Sequence, residues 1–244
     1  MSENWQLGVE PEVKDRAIAH ILDEGLVHPV SAWERARTIQ RELGTKNIFF
    51  DTAWSLIFSG VMVVAMIVIT LGVPAAWRHT ATVACAPLLF TVILAGTEML
   101  ERATAMYDLK QTAHFTIRQV TALRVMAYSL VAAVVTALLA SLSATGAAEV
   151  LTLVPLGLAA LFGCALAEVS TLRFTRSPWA MAVFTVVWMA VWIGAPVRFG
   201  EAWEACLASL NTALTSGIAI ICAVALVWQC AALLKESRTH VIPA

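Results

Sequence analysis

Few side chains in this sequence could do chemistry, and they are badly spaced for it. The five histidines (His20, His28, His79, His114 and His240) show no metal-ligand spacing, and no H-E-x-x-H occurs. The five cysteines (Cys85, Cys164, Cys206, Cys222 and Cys230) include no C-x-x-C pair. Neither a zinc site nor a disulfide framework is therefore expected, and their place in apolar runs reads as small buried hydrophobes. Ser59, in Phe58-Ser59-Gly60, has no histidine in a partner segment to activate it. Glu98 and Glu101 are three apart and share a helix face, but Arg102 beside them reads as a solvated helix end. No G-x-x-x-x-G-K-[ST] is present, so the chain has no P-loop with which to hydrolyse ATP. Catalysis is not expected of this chain, and no metal or cofactor is expected on it.

The composition explains why. Of 244 residues 59% are hydrophobic and 14% charged, and the mean hydropathy is +0.78. A soluble domain carries about 45–50% apolar and about 25% charged residues. The formal charge of −1 offers no attraction to nucleic acid. These figures indicate an all-α integral membrane protein, multi-pass, with the lipid bilayer as its immediate partner.

A bilayer core takes about 20 apolar residues of helix. Six runs meet this: Thr52–Val73, Ala81–Glu98, Val125–Leu142, Val150–Ala167, Trp179–Ile193 with an extension to Pro196, and Leu207–Leu234. Some fifty mostly polar residues before the first run do not form a signal peptide. The expected layout is cytoplasmic amphipathic helices over 1–50, a six-helix transmembrane domain over 51–236 and a cytoplasmic tail over 237–244.

Lys and Arg between the runs set the orientation. Lys14, Arg16, Arg35, Arg37, Arg41 and Lys46 precede span one, and Arg102, Lys110, Arg118 and Arg124 follow span two. Arg173 and Arg176 follow span four, and Lys235 and Arg238 follow span six, whereas the other side has only Arg78 and Arg198. Both termini are expected to be cytoplasmic. Trp54, Trp77, Trp179, Trp203 and Trp228 fall near span ends, where indoles favour the headgroup zone. Glu98 and Glu168 lie near cytoplasmic ends, where water can hydrate them. Close helix approach is expected on Ala159, Gly163 and Ala167 in span four and on Ala133 and Ala137 in span three.

Outside the spans, Pro11 opens a helix that Gly25 ends. A second helix starts at Ser31, which with Glu34 forms a capping box, and stops at Gly44. Along it Trp33, Ala36 and Leu43 are expected to face apolar surroundings, with Arg35, Arg37 and Arg41 in water. Such a basic amphipathic helix either lies on the membrane surface or packs on the protein's own loops. Met99–Arg124 reads as two helical arms with a break near Thr112–Phe115, the second arm capped by Thr116 and Gln119. On the opposite side only Gly194–Cys206 has room for a short amphipathic element, and no long re-entrant element is expected before span six.

Gly96-Thr-Glu98, Glu101-Arg102, Met106-Tyr-Asp-Leu109 and Phe115-Thr-Ile-Arg118-Gln119 through Arg124, with Ala36–Gly44 before span one, carry a resemblance. The chain resembles the permease subunits of ABC-2-type ABC transporters, small bacterial permeases of Pmt-like peptide exporters in particular. That resemblance implies an exporter of a hydrophobic or amphipathic cargo (peptide or lipid) in a cell membrane. It also implies a separate ABC ATPase subunit carrying ATP and Mg, and a second permease chain, identical or related. Glu101, Arg102, Asp108, Lys110 and Arg118 would then dock the ATPase. A membrane-embedded immunity or regulatory protein without transport activity fits the same topology; a channel or secondary transporter fits it less well.

Overall fold

The computed structural model describes residues 31–48, 60, 63–64, 66–69, 72–88, 90–92, 94, 117–174 and 180–235. Among these residues the structure is helical, with no strand. The expected helix from Pro11 to Gly25 and most of Met99–Arg124 lie outside the described residues.

Helix α1, Ala32–Ile48, begins at the expected capping box. Ser31 N–H donates to Glu34 Oε2 at 3.1 Å, and Glu34 N–H donates to Ser31 Oγ at 3.2 Å. These two bonds satisfy amides that the helix cannot satisfy itself. The helix passes through Gly44 instead of stopping there, because a glycine stop requires a left-handed residue. Gly200 is the glycine with positive φ among the described residues. The buried arc is narrow: Ala36 and Ile39 are buried, whereas Trp33 is 65% exposed. Ala36 and Ile39 join the same apolar cluster as Leu233 and Leu234, so the helix packs on the body of the protein.

A 3-10 turn over Ala75–Trp77 leads into helix α2, Arg78–Cys85. The second expected span was continuous from residue 81, but α2 ends at Cys85. Pro87 has no amide to continue the ladder, and helical hydrogen bonding resumes with Thr91 N–H donating to the Pro87 carbonyl.

The body is built by α3 (Ile117–Ser143), α4 (Ala147–Phe174) and α7 (Thr212–Lys235). Each is long and apolar enough to cross a membrane. Helix α5 (Ala180–Phe199) meets α6 (Glu201–Ala208) at a bend of 113°, and the pair together passes the same test. Among the described residues that makes three spanning helices, or four with the bent pair. This is an apolar, all-helical membrane architecture. The first of the six expected runs lies mostly outside the described residues.

Helix α4 is central, touching α2, α3, α5 and α7. Phe90, Ala122, Val125, Leu161, Ala165 and Cys230 are buried in one cluster linking residue 90 with α3, α4 and α7. Outward-facing Val131, Val134 and Leu138 of α3, Val186 and Val191 of α5, and Ile220, Ile221 and Val224 of α7 are exposed. A soluble protein would not tolerate so continuous an apolar surface, whereas lipid tails solvate it.

Close approach occurs at a glycine other than the expected one. A Cβ on Gly157 would lie 2.9 Å from Thr136 Cγ2 and 3.0 Å from Thr82 Cγ2, so α2, α3 and α4 meet there at backbone distance. A Cβ on Gly163 would meet nothing within 4 Å. The face of α4 bearing Ala159, Gly163 and Ala167 is only partly buried, and the helix turns Leu161, Cys164 and Ala165 inward instead. Gly157→Val should therefore destabilise the fold by about 1–3 kcal/mol through overpacking. Gly163→Ala should be neutral or stabilising by up to about 1 kcal/mol, as helix propensity dictates. Thermal unfolding in detergent checks both, and Thr136→Ser, which removes the clashing methyl, should partly rescue Gly157→Val.

Candidate functional site

The first turn of α2 has amides with no acceptor in their own helix, and no side chain of the preceding residue caps them. The acceptor comes from α6. Glu204 Oε1 accepts from His79 N–H at 2.7 Å and lies 2.9 Å from His79 Nδ1. Glu204 Oε2 accepts from Thr80 N–H at 3.1 Å and from Thr80 Oγ1 at 2.6 Å. One buried carboxylate thus serves four polar atoms at a helix N-terminus, where the helix dipole also favours negative charge.

Glu204 reaches this place because of the corner that precedes it. Gly200, with φ 57° and ψ −136°, occupies a region closed to residues with a Cβ. Across the corner Trp203 of α6 packs edge-on against Trp192 of α5, with ring centroids 5.5 Å apart, and stacks on Phe199 at 6.4 Å. Trp192 continues to Trp188 at 5.8 Å and Trp188 to Phe184 at 6.2 Å, which forms an aromatic ladder along α5.

Beside this cap, Arg78 Nη1 contacts both carboxylate oxygens of Glu149, at 3.1 and 3.3 Å. Glu149 also accepts from Thr145 N–H at 2.7 Å and from Thr145 Oγ1. The α3–α4 turn, the start of α2 and the short α6 are tied into one polar end. The Arg78–Glu149 pair is partly exposed and contributes about 0–1 kcal/mol.

The opposite end of the body has a different polar arrangement. Gln119 Nε2 donates to the Leu234 carbonyl at 3.2 Å, a carbonyl in the last turn of α7 that its own helix leaves free. Gln229 Nε2 donates to Ser170 Oγ at 3.2 Å, joining α7 to α4. Arg124 and Glu168 are fully buried here. The expectation that Glu168 is hydrated is corrected: α4 extends to Phe174, and Glu168 is buried inside the body.

Of the expected docking residues, Glu101, Arg102, Asp108 and Lys110 lie outside the described residues, and Arg118 falls in the first turn of α3. Arg35, Arg37 and Arg41 all lie on α1, and the last two are exposed as expected. Trp33, on the same helix, is exposed to the surroundings of the protein and not packed on its body. Cys206 is likewise exposed, whereas Cys85, Cys164 and Cys230 are buried.

Comparison of the chain with family models, with curated proteins and with solved structures gives no match. The site therefore has to be read from its own chemistry. Among the described residues no group of three His, Cys, Asp or Glu could hold a metal. The Glu204 and Glu149 carboxylates are occupied with helix ends and a neighbouring arginine, which is work of positioning.

Sequence reasoning missed the Glu204 cap. The available signal was a buried acid on a short element, facing the one loop on its side that combines Arg78 with His79. It also placed the start of the last span too early. Leu207 belongs to α6, and α7 starts after Asn211, whose Oδ1 accepts from Ala213 N–H at 2.8 Å.

Glu204→Ala should lower stability by about 2–4 kcal/mol, because three donors at the start of α2 lose their acceptor. Glu204→Gln, which keeps an acceptor oxygen, should fall between the two. Thermal unfolding in detergent reads the loss, and amide hydrogen exchange at His79 and Thr80 should quicken in the alanine variant.

Proposed function

We propose that the chain is the membrane-spanning permease subunit of a bacterial ABC exporter. ATP, with its Mg, would be hydrolysed by a separate ABC ATPase subunit. The observation that carries this reading is the docking of α1. A polar helix sits across the ends of α3 and α7 through Ala36 and Ile39, and its arginines Arg37 and Arg41 stay exposed. A helix held in that way moves with the spans, and so couples them to a soluble partner docked on the same side of the membrane.

The distribution of charge supports a plasma-membrane orientation with both termini cytoplasmic. Arg37, Arg41, Arg118 and Arg124 cluster toward the α1 end, while the other end has Arg78 and Arg198 among Glu149, Glu201 and Glu204. With six crossings, as the sequence patterning predicts, the Lys- and Arg-rich segment between spans two and three would lie on the same side as α1. Glu101, Arg102, Asp108, Lys110 and Arg118 are the docking residues in this reading. A second permease chain, identical or related, would complete the pathway. The short connections at the α6 end and the apolar spans suit a hydrophobic or amphipathic cargo such as a peptide or lipid.

A mild-detergent pull-down of the tagged chain from native membranes should recover a P-loop ATPase at near one-to-one stoichiometry. In the reconstituted complex, Glu101→Ala with Arg102→Ala should reduce cargo-stimulated ATPase activity while leaving the chain folded. A chain that repeatedly purifies alone would favour an immunity or regulatory protein without transport activity.

A further inference from the structure

We infer that the exposed stripe Trp33, Arg37 and Arg41 of α1 is a binding site for the headgroup of an anionic phospholipid. The three residues follow one another at i, i+4 and i+8, so they form one line along the helix. Trp33 is 65% exposed and both arginines are exposed. The opposite side, Ala36 and Ile39, is taken up by the protein's own body, so this stripe is the free face of the helix.

Three observations point to an anion there. Neither Arg37 nor Arg41 has an ion-pair partner among the described residues, and the nearby Glu34 carboxylate is engaged by the Ser31 amide. Like charges four residues apart repel along a helix, and a bound anion removes that repulsion. Their spacing corresponds to a rise of about 6 Å, within reach of the oxygens of one phosphodiester.

Position selects a lipid as the source of that anion. Helix α1 packs beside Leu233 and Leu234, and the spanning stretch of α7 ends at Leu234. The stripe therefore lies at the level where a span leaves the hydrocarbon, the depth that indole rings favour. An exposed tryptophan beside two arginines at that depth fits a glycerol-phosphate headgroup better than an acidic protein surface in bulk water. The bound lipid would brace α1 against α3 and α7. This inference does not rest on the transport reading.

The test uses the full chain in neutral maltoside micelles, titrated with short-chain phosphatidylglycerol and followed by native mass spectrometry. Saturable binding is expected, with phosphatidylcholine failing to saturate the site. Arg37→Gln with Arg41→Gln should raise the half-saturation concentration about thirtyfold, from the worth of two basic residues at an anionic surface. Arg198→Gln, an exposed arginine at the other end, should leave it unchanged. Unchanged binding in the double variant, or equal binding of phosphatidylcholine, overturns the site. A photoreactive benzoylphenylalanine at position 33 should crosslink in native membranes to a phospholipid; crosslinking to a protein alone overturns the lipid as occupant.

Discussion

A helix that starts at the edge of hydrocarbon must find acceptors for its first amides, because lipid supplies none. In this protein that requirement falls on α2, and Glu204 of α6 meets it. The rest of the α6 end follows from this contact. The Gly200 corner, the edge-on packing of Trp203 on Trp192 and the short length of α6 all serve to bring one carboxylate to His79 and Thr80. Arg78, the neighbouring residue, then has its guanidinium directed to Glu149, which fastens the α3–α4 turn to the same point.

Between its polar ends the body is held by shape. With lipid outside as apolar as the core inside, helix association depends on packing contacts and interhelical hydrogen bonds. Gly157 supplies the first, letting α4 approach Thr82 and Thr136 to contact distance. Gln229 with Ser170, and Gln119 with the Leu234 carbonyl, supply the second. Helix α5 has little of either. Its valines and Ile193 face outward, and its defined contact is the aromatic ladder that runs to Trp203 of α6.

What was legible in the sequence is what depends on local spacing. Unbroken apolar runs marked α3, α4, α5 and α7, and S-x-x-E marked the start of α1, where both reciprocal bonds form. Contacts between distant residues were not legible. The choice of Gly157 over Gly163 depends on which way α4 faces, and an alanine-rich helix offers small residues on every side. The role of Glu204 was one of these, because nothing local to it names His79 as its partner. On α1 the amphipathic pattern shows that a face exists, while the width of the arc buried against the body, Ala36 and Ile39 without Trp33, is set by what packs there. The docking residues between spans two and three were a reading of family pattern, and Glu101, Arg102, Asp108 and Lys110 lie outside the described residues.

The cap on α2 also sets a schedule. Glu204 follows His79 by 125 residues. At ribosomal rates of about 5–20 residues per second, α2 waits about 6–25 s for it. Through that interval its leading amides must be served by water or headgroups, so the Arg78 end stays wet while α3, α4 and α5 are still being made. The arrival of α6 replaces that water. The α6 end is therefore the last to close, and the last third of the chain decides when the start of α2 is finished.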